Sequence, residues 1–224
     1  MFTINPLPLR LDPALVAKLV RAEPATIGHF LDWGFMDPGL KALQSDVRIA
    51  GPAVTVHQPG VDGTIMGYAL GQVRPGDVLV VDRCGDTRHA GFGGLVCYAA
   101  KVAKVAGVII DGMVADVGEI RQYGVPVWCR GFSAVTTKRV GLGGSFCVPV
   151  SCGGVSVRPG DVIIADEVGV VVLNPADAES AADRAIAMQD AEVEKRARLD
   201  AGEKLPDISG ATKVLADALA KQKA

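Results

Sequence analysis

The sequence predicts an α/β fold built around parallel strands. Between Val78 and Cys129, three short apolar segments are separated by two segments with helical spacing, and a β–α–β–α–β order favours parallel strands with right-handed crossovers. In addition, Arg-Pro-Gly-Asp occurs at 74–77 and again at 158–161, each time before an apolar run rich in β-branched residues. Pro and Gly set a tight turn, and an unbroken apolar run is typical of a strand buried on both faces. We expect the two copies to be equivalent turn–strand units of one sheet system.

The elements before the first copy are two short helices, a strand and a helix. Apolar residues recur at helical spacing within 13–33, and Pro24 divides this region into two helices. Residues 47–57 are predicted to form a strand and residues 61–73 a short helix. The central elements then follow in order: strand 78–82, helix 94–106, strand 107–111, helix 116–123 and strand 125–129.

The C-terminal part changes from short strands to long helices. Short apolar runs and Gly turns at 146–173 are typical of the edge of a sandwich or barrel. Asn174 and Pro175 are the expected N-cap and first residue of an Ala-rich helix to about Leu199, whose weak apolar stripe suggests packing on another subunit or a surface position. The expected organisation is one domain over 1–224, with its core at about 45–173, N-terminal helices at 13–33 and C-terminal helices at 175–221, the last of them at about 211–221.

Composition excludes several classes of function. The chain has 224 residues, 49% of them hydrophobic, with a net charge of −2 and 5% aromatic residues. Such a chain buries a sizeable core and is not disordered. Its balanced charge lacks the basic footprint of a nucleic-acid-binding protein, so no nucleic-acid partner is expected. No signal peptide and no membrane span are predicted, and hence no membrane partner.

The five cysteines predict reduced thiols. Their number is odd, no pair has C-x-x-C spacing, and only Cys84 has a histidine, His89, shortly after it. A zinc or disulfide framework is therefore not expected. We expect free thiols in a cytoplasmic protein, several of them serving as small core residues.

The segment 82–94 is the first candidate site, because it joins the end of a strand to the start of a helix. The backbone at Gly93 and Gly94 is bare, so the N–H groups of Gly94, Leu95 and Val96 could hold a carboxylate or phosphate, and Arg88 could add positive charge. The alternative is a Gly-rich turn that only lets the helix pack closely. A dinucleotide fingerprint is excluded because Val96 stands where Gly or Ala is required, and no Walker sequence is present.

A second candidate is Asp116, between the strand 107–111 and the helix that follows it. One carboxylate with retained waters is a common way of holding Mg²⁺. The alternative is that Asp116 simply caps that helix. Of the three histidines only His89, beside Arg88, is a candidate for a role, and no hydrolase or protease motif supports nucleophilic catalysis.

Motifs spread over more than half of the chain resemble those of the RraA-like family. This family includes regulators of ribonuclease activity and divalent-metal aldolases acting on 4-hydroxy-4-methyl-2-oxoglutarate or 4-carboxy-4-hydroxy-2-oxoadipate. The matching segments are Met36–Pro38, Gly51–Ala53, Arg74–Asp82, Gly93–Leu95, Gly107–Gly112, Pro126–Gly131, Gly153–Val155 and Pro159–Asp161. The resemblance implies an α/β/β/α swivelling fold, like the phosphohistidine domain, in a homotrimer or homohexamer with clefts between subunits.

The resemblance also implies a chemistry. In the aldolase branch, helix-start N–H groups matching Gly94, Leu95 and Val96 hold the carboxylate of a pyruvyl group, and a carboxylate matching Asp116 binds Mg²⁺ or Mn²⁺. The metal polarises the 2-keto oxygen while the carbon–carbon bond breaks. Some members use an acidic residue from the C-terminal region of a neighbouring subunit, which would correspond here to Glu192 or Glu194, residues that otherwise belong to a solvated helix face.

One departure from the family pattern divides the functional hypotheses. Where the aldolase motif has Arg before the metal-binding Asp, this sequence has Ala115. Losing such a charge-assisted contact typically costs about 2–4 kcal/mol, or roughly a hundredfold or more in rate. Arg88 matches an arginine often present in the loop and could compensate. The first hypothesis is a metal-dependent lyase, an aldolase or decarboxylase, that cleaves a small 2-keto acid and releases pyruvate. The alternative is a non-catalytic or divergent member that acts as a binding or regulatory module.

Overall fold

The structure, a computed structural model, describes residues 1–222 and contains eight helices and fourteen strands within that range. The helices are α1 (Pro13–Leu19), α2 (Pro24–Ile27), α3 (Thr64–Leu70), α4 (Gly94–Val102), α5 (Val117–Tyr123), α6 (Pro175–Asp200), α7 (Leu205–Ser209) and α8 (Ala211–Gln222). The strands are β1 (Phe2–Ile4), β2 (Lys41–Ala42), β3 (Arg48–His57), β4 (Val78–Asp82), β5 (Ala90–Phe92), β6 (Gly107–Asp111), β7 (Met113–Val114), β8 (Val127–Cys129), β9 (Gly131–Phe132), β10 (Gly144–Phe146), β11 (Val150–Cys152), β12 (Val155–Val157), β13 (Val162–Asp166) and β14 (Val170–Leu173).

The main sheet has the strand order β1–β10–β3–β4–β6–β8–β2. The strands β3, β4, β6 and β8 are parallel neighbours, and α4 and α5 connect β4 to β6 and β6 to β8. This is the predicted alternation, and the bounds of β4 and β6 match the prediction. The fold class predicted from the sequence is therefore confirmed.

Both Arg-Pro-Gly-Asp copies form the same turn and lead into strands that pair with β3. In each copy the arginine N–H donates to the aspartate Oδ2 at 2.7 Å, and the glycine has φ near +90°. A residue other than glycine is strained at that angle. The strand β4 lies parallel to the second half of β3, whereas β13 lies antiparallel to its first half. The prediction of one shared sheet system is confirmed, with the two copies running in opposite directions relative to β3.

The helices and strands are stacked in four layers. One face of the main sheet packs against α3, α4 and α5, and its other face packs against β11–β14. The outer face of β13 and β14 then packs against α1, α2 and the first half of α6. Within β4, Leu79 and Val81 face the helices while Val78 and Val80 face the second layer, so this strand is buried on both faces as its unbroken apolar run predicts. The layers follow the α/β/β/α order that the resemblance implied.

Several predicted boundaries are too long for identifiable reasons. The helix predicted over 61–73 is only Thr64–Leu70, because Asp62 and Gly63 form its entry turn. The helix predicted over 94–106 ends at Val102, shortly before Lys104, whose φ of 57° is left-handed. Such an angle cannot continue a right-handed helix.

The C-terminal helices leave the body of the chain. In α6 the buried residues are Ala178, Ala182 and Ala185, and within the described part of the chain neither α7 nor α8 buries any residue. Among residues 1–222, no helix is both long and apolar enough to cross a bilayer. Of the cysteines, Cys97, Cys129, Cys147 and Cys152 are buried in the core and Cys84 is exposed.

Candidate active site

The candidate site lies where the polypeptide leaves the carboxyl ends of β4 and β6. In register, the last residues of these strands, Asp82 and Asp111, are partners, so the loops leading to α4 and α5 begin side by side. Three very short parallel strands, β5, β7 and β9, tie these loops and the loop after β8 together. The N–H of Ala115 donates to the carbonyl of Phe92 at 2.9 Å, which fixes the start of α5 against the start of α4.

The Asp116 side chain caps α4 and not its own helix. Asp116 occupies the N-cap position of α5 but makes no side-chain cap there, and its φ of 52° is left-handed. Its Oδ2 instead accepts a hydrogen bond from the Gly94 N–H at 2.9 Å. The alternative that Asp116 caps the helix it precedes is therefore wrong. Left-handed backbone is uncommon at residues other than glycine, although aspartate adopts it more readily than most, and such residues cluster at functional sites.

Gly93 and Gly94 are required by the close approach of two carboxylates. A Cβ on Gly93 would lie 2.8 Å from Asp116 Oδ2, and a Cβ on Gly94 would collide with the Glu119 carboxylate. The sequence analysis did not identify Glu119 as a site residue. Its spacing of three residues from Asp116 on a helix start is the signal that could have indicated it, because residues so spaced share a helix face. Both carboxylates thus lie at the positive end of α4, which favours negative charge.

A pocket of 480 Å³ opens at this helix start. It brings together the predicted site residues Gly93, Gly94, Leu95, Val96 and Asp116. Residues 136–139 form another part of its lining and carry two exposed cations, Lys138 and Arg139, which the sequence analysis missed. Within residues 1–222, neither cation makes a salt bridge. The pocket therefore combines helix N–H groups, a carboxylate and free positive charge.

Residues 136–139, the cationic segment, are held in place through the buried Asp62. The Asp62 carboxylate accepts from the N–H and hydroxyl of Thr64 and from the N–H groups of Val140, Leu142 and Gly143. Burial alone raises the pKa of an aspartate, but these donors outweigh burial and hold the pKa of Asp62 well below its usual range. The backbone of Lys138 adds two hydrogen bonds, from its N–H to the carbonyl of Val61 and from the Gly63 N–H to its own carbonyl.

Arg88 lies outside the lining of this pocket. Its backbone N–H donates to Asp86 Oδ1 at 2.8 Å and its carbonyl accepts from the Ser133 hydroxyl at 2.6 Å, while the residue is exposed. Ala115, where the family pattern has arginine, is buried, and its methyl carbon would be 3.7 Å from a Cβ on Gly93. In this single chain the positive charges of the pocket thus come from Lys138 and Arg139 and not from Arg88.

Asp86 organises the loop that carries Arg88 and His89. Its carboxylate accepts from the N–H groups of Arg88 and His89, from His89 Nδ1 at 2.8 Å and from the buried Arg83 at 3.2 Å. Partial burial acts to raise the pKa of Asp86, but the hydrogen bonds from His89 and Arg88 outweigh it and lower the pKa to about 2. His89 is therefore held as a loop residue and does not line the pocket.

Glu192 and Glu194 lie on the exposed second half of α6. Glu192 accepts from Arg196 at 3.2 Å, one helical turn away, and neither glutamate lines the pocket of its own chain. Any contribution to a site from either residue would have to be made to a neighbouring subunit.

The donor atoms at Asp116 fit a hard divalent cation. The pocket offers carboxylate oxygens from Asp116, with the Glu119 carboxylate beside the same helix start. Mg²⁺ and Mn²⁺ prefer oxygen ligands, and Mg²⁺ is commonly bound by one or two carboxylates and several waters. Asp116 Oδ1 makes no hydrogen bond within residues 1–222, so this oxygen is available as a ligand.

Comparison with known proteins identifies the family of the chain. The model of the RraA-like family, described as Aldolase/RraA, matches residues 30–172. A protein of Halalkalibacterium halodurans named "Putative 4-hydroxy-4-methyl-2-oxoglutarate aldolase" is 36% identical over 162 residues, which cover 72% of this chain and 77% of that protein.

Solved structures give the same result. The Streptomyces coelicolor protein RraAS2, described as an unusual member of the RNase ES inhibitor RraA protein family, has a TM-score of 0.77 and 32% identity, covering 84% of this chain and 98% of its own. An uncharacterised protein of Pseudomonas syringae has the same TM-score at 22% identity, covering 92% and 98% of the two chains, and shows the fold alone. With its layers, its glycine-rich helix start and these matches in agreement, the chain belongs to the RraA-like family.

Proposed function

We propose that the protein is a divalent-metal-dependent lyase that cleaves a small 2-keto acid of the 4-hydroxy-4-methyl-2-oxoglutarate type and releases pyruvate. One observation carries the proposal: Asp116 Oδ2 lies 2.9 Å from the Gly94 N–H, inside a pocket of 480 Å³. This contact supports the proposal, because a chelating 2-keto acid would need a carboxylate that holds the metal next to a helix start that holds the substrate carboxylate.

The helix start would hold the substrate carboxylate. The N–H groups in the first turn of a helix have no acceptor within the helix, and those of Leu95 and Val96 border the pocket. The helix dipole adds a favourable interaction with an anion. Since Gly94 already donates to Asp116, the groups left for the substrate are the next two N–H groups.

Asp116 would hold Mg²⁺ or Mn²⁺, and a metal held there would supply Lewis-acid polarisation of the 2-keto oxygen. The left-handed backbone of Asp116 and its bond to Gly94 orient the carboxylate before substrate arrives. Lys138 and Arg139 would supply the positive charge that Ala115 cannot. They would bind a second substrate carboxylate or stabilise the negative charge that develops at the reacting centre.

Further elements of the proposal depend on assembly. We propose a homotrimer or homohexamer with sites between subunits, in which Arg88, Glu192 or Glu194 could reach a neighbour's pocket. The exposed second half of α6 supports this, because it leaves the body of its own chain. The free cysteines support a location in the reducing cytoplasm.

The alternative function is a non-catalytic binding or regulatory module. Ala115 favours it, because the residue removes a guanidinium from the site. The similarity to RraAS2, whose description places it among ribonuclease inhibitors, favours it as well. Such a module needs no metal and would bind its partner equally well in EDTA.

The test is pyruvate release from 4-hydroxy-4-methyl-2-oxoglutarate and from oxaloacetate, with Mg²⁺ or Mn²⁺ and then with EDTA. We expect turnover that EDTA abolishes and that Asp116→Asn lowers at least a hundredfold, because the variant removes the metal's anionic ligand. Asp32→Asn, at an exposed position far from α6 in sequence, is the matched control, and its turnover should be unchanged.

Two further variants separate the possible sources of positive charge. If Lys138 and Arg139 replace the missing arginine, Arg139→Ala lowers kcat/KM and Arg88→Ala does not, whereas the reverse result assigns the role to Arg88. Ala115→Arg restores the family pattern. Activity in Ala115→Arg but not in the wild type would contradict the lyase proposal and leave a scaffold whose role is binding.

A further inference from the structure

A second cluster of metal-ligating side chains lies outside the pocket and is not used by the proposed lyase. Within residues 1–222 it is the one group of three or more His, Cys, Asp or Glu side chains whose ligand atoms all lie within 4.8 Å of one another. Its members are His57, Asp82 and Cys84. We propose that these three residues form a binding site for a thiophilic divalent cation, of which Zn²⁺ is the natural example.

The fold brings the three residues together through strand register. His57 ends β3 and Asp82 ends β4, and the two are partners in the parallel ladder. Cys84 follows two residues later with a left-handed φ of 56°, and its N–H donates to Asp82 Oδ1 at 2.6 Å. This turn directs the thiol back across the strand ends, so that Cys84 Sγ lies 3.1 Å from His57 Nε2.

The distances need little change to accommodate an ion. Tetrahedral zinc with nitrogen, oxygen and sulfur ligands separates its donor atoms by about 3.3–3.8 Å. The three donor atoms here lie within 4.8 Å of one another, and the His57–Cys84 contact is 3.1 Å. Side-chain rotations that move each donor atom by about 1 Å or less therefore suffice. Asp82 remains a competent ligand because each carboxylate oxygen has two lone pairs, and the N–H groups of Cys84 and Ser151 use one on each.

Charge favours a divalent ion at this position. A thiolate, a carboxylate and a neutral imidazole together carry two negative charges, which neutralise one divalent cation. The neighbouring Arg83 does not donate to the cluster, since its guanidinium donates to the carbonyls of Gln58 and Gly60 and to Asp86.

The thiol has to lose its proton when the ion binds. Without an ion, partial desolvation and the negative charge of Asp82 raise the pKa of the Cys84 thiol to about 11, so the group is protonated at neutral pH. Binding therefore releases the Cys84 proton to solvent, as is general for thiolate ligands.

The ligand types distinguish this site from the one at Asp116. A sulfur and an imidazole nitrogen select Zn²⁺ or Co²⁺ over Mg²⁺, whereas an all-oxygen site has the opposite preference. Three protein ligands also leave a fourth position open to water or to an exogenous anion, which is the pattern of zinc sites that are not purely structural. Cys84 is exposed, so an ion reaches the site from solvent.

The experiment is a titration of the metal-free protein with Co²⁺ in the presence of excess Mg²⁺, followed by absorption spectroscopy. The thiolate-to-cobalt charge-transfer band reports only on a cysteine-ligated ion, and Mg²⁺ occupies the oxygen site. We expect one Co²⁺ per chain, the band at full intensity, and displacement of Co²⁺ by Zn²⁺. Cys84→Ser should abolish the band, and His57→Gln and Asp82→Asn should each weaken binding at least tenfold.

Asp116→Asn is the matched control and should keep the band, because it lies outside the cluster. The absence of a charge-transfer band in the wild type, or a band that survives Cys84→Ser, would overturn the proposal. The readout does not depend on pyruvate release, so failure of the lyase proposal would leave this result unaffected, and failure here would leave the lyase assay unaffected.

Discussion

Replacing Asp62 with asparagine tests how the cationic side of the pocket is held. Asp62 is 1% exposed. Its Oδ1 accepts from Thr64 and Val140, and its Oδ2 accepts from the N–H groups of Leu142 and Gly143. Asparagine keeps one oxygen and places an NH₂ group where Oδ2 was, so two N–H donors lose their acceptor and face another donor.

The magnitude follows from those two lost bonds. Hydrogen bonds to a charged group contribute about 1.5–3 kcal/mol each, so Asp62→Asn is expected to lower the free energy of unfolding by about 3–6 kcal/mol. That is a large share of the stability of an ordinary domain. The loosened segment carries Lys138 and Arg139, and anion binding in the pocket should weaken with it.

The effect should depend on pH with a defined sign. The pKa of Asp62 is lower in the folded chain than in the unfolded chain. Its stabilising contribution is therefore complete above the unfolded pKa of about 3.9 and declines as pH falls below it. The difference in unfolding free energy between wild type and Asp62→Asn should accordingly be constant from about pH 5 to 7 and shrink below about pH 4.

Urea unfolding at a series of pH values measures this difference. Asp12→Asn is the control, because Asp12 is an exposed N-cap with a single backbone donor, the Ala14 N–H, and asparagine caps a helix about as well. A loss of less than about 1 kcal/mol in the free energy of unfolding of Asp62→Asn at pH 7 would contradict this prediction. A loss that does not change with pH would contradict it as well.

Three further predictions concern the neighbouring interior and are measured by the same unfolding assay. Gln58→Met should leave stability unchanged or raise it by about 1–2 kcal/mol, since both polar atoms of the buried amide lack a partner; a clear loss would mean that the amide binds ordered water. Asp86→Asn should lower the free energy of unfolding by about 1–2 kcal/mol at pH 7, after allowance for solvent screening. This loss should become smaller as the pH drops from about 4 through about 2, because the pKa of Asp86 is lowered in the folded chain. A loss of the same size at pH 2 would contradict this prediction. Gly153→Ala should destabilise by more than about 1 kcal/mol, because its φ is +57° and a Cβ would lie 2.6 Å from Met36 Cβ; an unchanged midpoint would show that the backbone relaxes there.

The parts of the fold predicted from the sequence are those whose limits are set by local chemistry. The bounds of β4 and β6 were predicted correctly because each strand is an apolar run with clear limits. The run begins after a turn in β4 and at a glycine in β6, and both runs end at an aspartate. The start of α6 followed from Asn174 and Pro175, and the Asn174 side chain does accept from the Ala176 N–H. By contrast β5, β7 and β9 have two or three residues each, too few to show a period.

At the site, the helix start and Asp116 were predicted from the sequence, and the structure places them in contact. The sequence analysis missed Lys138 and Arg139, because nothing local indicates that their segment pairs with Asp62 and Ala90 and so borders the pocket. It also associated Cys84 with His89 by proximity in sequence, whereas the thiol contacts His57. That contact arises from the pairing of β3 with β4, and a register between strands cannot be read from either strand alone.

The position of β3 has a consequence for biosynthesis. Its first half pairs with β13, roughly a hundred residues further along the chain, so a nascent chain that has just completed β4 still presents half of β3 with unpaired backbone. Translation must reach the end of β13 before that edge is closed, and exposed edges of this kind promote association between unfinished chains. Truncation before Val162 should therefore yield an aggregating product, and ribosome-bound intermediates should become resistant to proteolysis only after the second Arg-Pro-Gly-Asp copy has emerged.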